Sequence, residues 1–180
     1  RTCTYFNNVT VQNGGQLVIG TAPGVNDRRC AVTLNIQKDL NVLSGSTFGN
    51  YSNPSYSGVS YNSVVFSSNY PHSIDLSGHV PAVGLDNMTN YFNFVINGQP
   101  LTLASAIKAN SRAFFGTGKI ISGGNLLTIV PGGTISDASA TGFTDGPDAF
   151  EVATAALTHL VFPVGTGTIS RPVTVILPQD

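Results

Sequence analysis

The chain has 180 residues, 41% of them hydrophobic and only 9% charged, and at that length a single core could bury roughly 70% of the unfolded surface. Eight basic and nine acidic residues leave a formal net charge of -1, which excludes nucleic acid as a partner because phosphate recognition needs a clustered basic face. No apolar run approaches the ~20 residues of a membrane-spanning helix. The opening residues RTCTYFNN show no export signal, so any such signal is expected to have been removed or to lie upstream.

A charged share this far below the usual value of about 25% implies a surface kept wet by other means. Ser, Thr, Asn, Gln and 20 Gly supply it, with 10 Pro as punctuation. Glu151 is the only Glu and Lys38, Lys108 and Lys119 are the only Lys, so exposed helix positions would lack good formers. Thr, Val, Ile, Tyr and Phe favour strands instead. The composition reads as extracellular and all-β.

In chain order, a strand, glycine corner, strand unit recurs. Val9–Val11 leads through Asn13-Gly14-Gly15 into Leu17–Ile19, and Leu40–Val42 leads through Ser44-Gly45-Ser46 into Thr47-Phe48. Phe94–Ile96 passes Asn97-Gly98 into Leu101–Leu103. Lys119–Ile121 passes Ser122-Gly123-Gly124 into Leu126–Ile129, and Pro131-Gly132-Gly133 precedes Thr134-Ile135. Units of this kind suit hairpins in a sandwich or the corners of a solenoid. The strand-corner-strand pattern and a spacing near 20–25 residues favour the solenoid. Seven or so coils stacked ~4.8 Å apart would give a rod of about 35 Å, with apolar side chains alternating inward. Gly20 to Arg29 reads as an exposed loop, and Gly49 to Tyr61 as a loop or an edge strand. Residues 149–160 fit a helix or a strand, and the alternation of Phe150, Val152 and Thr154 favours strand.

Few residues suggest chemistry. Cys3 and Cys30 would close a loop of about 28 residues, worth roughly 3 kcal/mol if bonded in an oxidising compartment; two buried free thiols are the alternative. With only His72, His79 and His159, and no C-x-x-C pair, a zinc site is not expected. His72 after Pro71 and His79 after Gly78 are expected in turns, and His159 on a strand facing solvent. Four of the nine acids, Asp137, Asp145, Asp148 and Glu151, gather in one Gly-rich segment. Asp137, Asp145 and Asp148 could offer oxygens to calcium, although the spacing matches neither an EF-hand nor a nonapeptide calcium repeat, and the alternative is a solvated polar loop. No other cofactor is implied. Tyr51, Tyr56 and Tyr61 beside Asn50, Asn53 and Asn62 could stack uncharged glycans, or could simply cover the flank of the fold. No Ser lies in a G-x-S-x-G elbow. No carboxylates form an Asp-x-Asp pair on a strand for glycoside hydrolysis. Catalytic residues are therefore expected to be absent, and no enzyme activity is expected.

The last third resembles a known group. The series GKIISGGNLLTI, GFTDGP, LVFPVG and SRPVTV, in that order, is similar to recurring segments of large, repetitive Bacteroidetes cell-surface and secreted adhesin-like proteins, exported by the type IX secretion route. NVTVQNGGQLVI and LNIQKDLNVLSGSTF resemble earlier coils of the same proteins, so the likeness covers most of the chain. It departs where Ile169-Ser170, and no aromatic residue, precede Arg171-Pro172. The resemblance implies that residues 1–180 form a single right-handed parallel β-helix (β-solenoid) module with irregular loops, part of a longer multi-module protein. The function then expected is a non-enzymatic structural or adhesion module, with other modules of its own polypeptide, surface glycans or neighbouring proteins as partners. The alternative is a carbohydrate-active β-helix enzyme, a polysaccharide lyase or hydrolase.

Overall fold

Alternation of side chains sets each strand. In Asp39–Val42, Leu40 and Val42 are buried while Asp39 and Asn41 take the other face; in Ser63–Ser68, Val64 and Phe66 are fully buried between half-exposed neighbours. A pleated strand carries this period of two. The computed structural model describes residues 3–19, 33–50, 63–80, 93–109, 112–129, 134–151 and 159–176. Among the described residues the chain is all-β, with mostly parallel sheets and no helix.

The strands come in triplets. The first holds β1 (Cys3–Phe6), β2 (Val9–Val11) and β3 (Gln16–Ile19); the second holds β4 (Thr33–Ile36), β5 (Asp39–Val42) and β6 (Thr47–Asn50). The third has β7 (Ser63–Ser68) and β8 (His72–Asp75), with a single parallel bridge from His79 to Ser46 standing where its third strand would be. The fourth is β9 (Asn93–Gly98), β10 (Leu101–Leu103) and β11 (Ile107–Ala109), and the fifth β12 (Arg112–Phe114), β13 (Ile120–Ile121) and β14 (Leu127–Ile129). β15 (Thr134–Ser136), β16 (Thr144–Asp145) and β17 (Asp148–Phe150) form the sixth. β18 (His159–Phe162), β19 (Val164–Thr166), β20 (Ile169–Ser170) and β21 (Val173–Ile176) follow.

Along two sides, strands pair in parallel with their counterparts in the next triplet. One sheet runs β1-β4-β7-β9-β12-β15, and a second runs β2-β5-β8-β10-β13-β16-β19 before β20 turns back antiparallel. On the third side β3 pairs β6, and β11-β14-β17 form a separate parallel ladder. β18 and β21 pair antiparallel.

The register corrects the expected spacing. Cys3, Thr33, Ser63 and Asn93 are successive partners, 30 residues apart, whereas Leu101, Ile120, Thr144 and Val164 are 19, 24 and 20 apart. A repeat of 20–25 residues thus fits the C-terminal half alone. The difference lies at one junction. From the third strand of one triplet to the first of the next, residues 110–111 and 130–133 suffice late in the chain, but 20–32 and 51–62 intervene early. The loops expected at Gly20 to Arg29 and across most of Gly49 to Tyr61 lie in those intervals, outside the described residues; Gly49 and Asn50 end β6.

The register also stacks like upon like. Val9, Leu40, Ile74 and Leu103 are successive partners in the second sheet, and the last three are at most 2% exposed. Phe48, Phe66, Phe115 and Phe143 supply the bulkiest buried side chains, each worth about 1.5–3 kcal/mol of transfer free energy. Corners are held by uncharged polar groups that reach a neighbouring triplet. The Thr47 hydroxyl donates to Val80 O (2.8 Å), Asn125 Nδ2 donates to Leu103 O (2.8 Å), and the Ser105 hydroxyl accepts from Leu76 N (2.8 Å). That is how a surface poor in charge satisfies its backbone. At the first corner Asn13 (φ 57°) and Gly14 (φ 72°) both take positive φ, with Gly15 N donating to Gln12 O, the geometry of a tight primed turn.

Candidate functional site

The acidic segment is the first candidate, and its members do not come together. Asp137 is exposed, at φ 56°. Asp145 accepts from Lys119 Nζ (3.3 Å) and from Gly167 N (3.0 Å), while Lys119 Nζ also donates to Gly167 O (2.7 Å). This knot ties β13 and β16 to the turn between β19 and β20. Asp148 faces inward: its partner in β14 is Leu127, whose own partner in β11 is Ile107. Among the described residues no three His, Cys, Asp or Glu side chains could hold a metal ion together, so the calcium reading of Asp137, Asp145 and Asp148 gains no shared site.

Asp148 is nonetheless chemically unusual. Both carboxyl oxygens are sealed from solvent and make no hydrogen bond, and the same holds for the hydroxyl of Thr144, a fully buried residue. Burial among apolar neighbours pushes the Asp148 carboxyl up to about 7, because the charged form loses its hydration. The Thr144 hydroxyl is near enough to offset a little of this, yet it forms no hydrogen bond with the carboxyl. A raised acid of this kind can serve as a general acid, but a carboxyl closed to solvent reaches no substrate. Here it belongs to the interior.

His72 corrects an expectation. It opens β8 and does not sit in a turn; it is 2% exposed and pairs Leu101. Proline is tolerated just before a strand, so Pro71 does not disrupt the ladder. Its ring meets Phe66 edge-on (centroids 5.7 Å apart, 62°), and neither ring nitrogen has a hydrogen-bond partner. Desolvation lowers its pKa, opposed by the nearby Lys38 and Gln37 carbonyls and the Asp39 carboxylate. His79 lies at a turn as expected, with its N–H donating to Leu76 O and its Nδ1 accepting from Phe48 N (3.2 Å). His159 stands exposed on β18, also as expected.

The aromatic candidates Tyr51, Tyr56 and Tyr61 lie outside the described residues, as does Cys30, the partner expected for Cys3 on β1. Two other tyrosines are visible on the surface. Tyr5 is exposed on β1, and Tyr70 lies under Lys38 Nζ (4.8 Å to the ring centre). At the β1–β3 end a groove of about 450 Å³ is lined by Phe6, Asn8, Val9, Gln12, Gln16 and Leu17, among others. It combines an aromatic edge with neutral amides, the chemistry that suits an uncharged sugar.

Sequence reasoning missed the inward placement of His72 and Asp148. From Ile121 to Leu127 the corner advances six positions, but from Asp145 to Asp148 only three, so aligning the glycines does not place Asp148 on Leu127. Compared with protein-family models, with curated proteins and with solved structures, the chain gives no match.

Proposed function

We propose that the chain is a right-handed parallel β-helix serving as a non-enzymatic structural or adhesion module of a secreted or cell-surface protein. The observation that carries this reading is the second sheet, in which seven strands from successive segments pair in parallel in chain order. Such a series, with a six-stranded parallel sheet beside it and shorter parallel ladders on a third side, is what stacked coils require, and parallel crossover connections are right-handed in nearly all cases. The apolar columns inside and the Thr, Ser and Asn positions outside support a scaffold that presents hydroxyls and amides. Contacts of that kind hold a glycan weakly and gain strength by repetition along a longer chain. The resemblance to type IX-secreted Bacteroidetes surface proteins suggests such a chain, with other modules, surface glycans or neighbouring proteins as partners.

The test is to incubate the pure protein with plant, algal and microbial polysaccharides and to assay reducing ends and unsaturated products. The expected result is no turnover, with at most weak retention on glycan columns that drops on replacing Tyr51, Tyr56 and Tyr61 by Ala. Reproducible product formation abolished by replacing a single Asp would overturn the reading in favour of a carbohydrate-active enzyme.

A further inference from the structure

Two neighbouring interior columns are apolar through the fourth and fifth triplets, one of them beginning beyond His72. Ile107 and Leu127 are 3% and 1% exposed, and the next partner in their column is Asp148. Leu101 and Ile120 are likewise buried, and the next partner in theirs is Thr144. Two adjacent columns therefore turn polar in the same triplet, and the three side-chain oxygens placed there have no hydrogen-bond partner. An interior carboxyl without a donor is tolerable only while neutral, since an unpaired buried charge is far costlier than an unpaired buried dipole.

We propose that Asp148 is a proton-operated latch on the C-terminal strands: the neutral carboxyl lets β17 close beneath β14, and the carboxylate loosens β17 together with the strands that follow it.

Among the described residues, the charged neighbours supply no counter-ion. β14 presents Leu127, Thr128 and Ile129. Lys108 on β11 is engaged by Glu151 (2.6 Å). Asp145 on β16 is engaged by Lys119. Asp137, after β15, and His159 on β18 are exposed. Ionisation must therefore be met by water, which enters only if β17 moves. The sign follows. Folding raises the carboxyl from 3.8 to about 7, so the folded state holds the proton more tightly. The stabilisation is complete below pH 4 and is lost as pH rises towards and through 7.

The experiment uses the whole chain, with chelator present throughout so that no cation neutralises the carboxylate. Carbon NMR of the Asp148 carboxyl should titrate with a midpoint near 7, and a midpoint near 4 would overturn the proposal. Hydrogen exchange, corrected for intrinsic rates, should show protection of residues 144–150 and 159–176 falling several-fold or more between pH 5 and 8, with residues 33–42 unchanged. Equal loss in both regions would overturn the latch. Asp148→Asn, which cannot ionise, should keep its protection across that range; a variant that opens with pH as the parent does would also overturn it.

Discussion

At the scale of single residues, two interior groups respond to pH in opposite senses. Each pKa unit corresponds to about 1.4 kcal/mol, so ionised Asp148 costs on the order of 4 kcal/mol in the folded state. His72 works the other way. Its folded pKa lies below 6.5, so its contribution is present above 6.5 and is lost as pH falls through the lowered value. Replacing His72 by Leu should remove that acid-side loss. Measured by thermal melts between pH 8 and 4, the variant-minus-parent difference in Tm should become more favourable as pH drops below 6.5; a difference independent of pH would refute the assignment. Neither residue announced itself in the sequence. A His after Pro and an Asp beside Gly-Pro both carry turn signals, and only the ladder register reveals that they occupy positions that neighbouring triplets fill with Leu.

At the scale of elements, the strands read correctly from sequence were those with apolar residues next to a glycine corner: β2, β3, β5, β6, β9, β10, β13, β14 and β15. Others hid for a definable reason. β8 alternates His72 and Ile74 inward against Ser73 and Asp75 outward, so half of its buried face looks polar. β12 has Ala113 as its buried residue and offers little pattern. The corners, by contrast, were legible because close backbone approach restricts residue type. Gly78 has the closest main-chain obstacle: a Cβ there would lie 2.2 Å from Leu43 C and 2.3 Å from Ser44 N. Both obstacles are main-chain atoms of the preceding triplet, so Gly78→Ala must push two triplets apart. We expect it to lower Tm by several degrees or to block folding, since strain of this kind costs about 1–3 kcal/mol or more. At Gly124 a Cβ would meet nothing within 4 Å, and Gly124→Ala should leave Tm within about a degree. Equal effects of the two substitutions would show that the corners do not pack as described.

At the scale of the whole molecule, composition foretold the all-β class, while the uneven repeat length could not be read from it. The extra residues sit between triplets, where no periodicity marks their boundaries. Composition also speaks to the compartment. A surface that depends on hydroxyls and amides, with only two ion pairs among the described residues, accords with the proposed exported module. We expect Cys3 and Cys30 to be bonded. Intact mass after alkylation, with and without prior reduction, decides this; two thiols alkylated without reductant would refute it.

The shortening repeat has a kinetic meaning as well. Bringing two partner strands together closes a loop whose entropic cost grows as the logarithm of its length. Partners near 20 residues apart close about 0.4 kcal/mol more cheaply than partners near 30 apart, and that advantage recurs at every added triplet of the C-terminal half. Because a triplet touches chiefly its neighbours, a first pair that forms becomes the template for the next. The gradient in partner separation therefore gives assembly a direction: nucleation is cheapest among β10, β13 and β16, and the longer-looped triplets are laid down afterwards on an edge already in place.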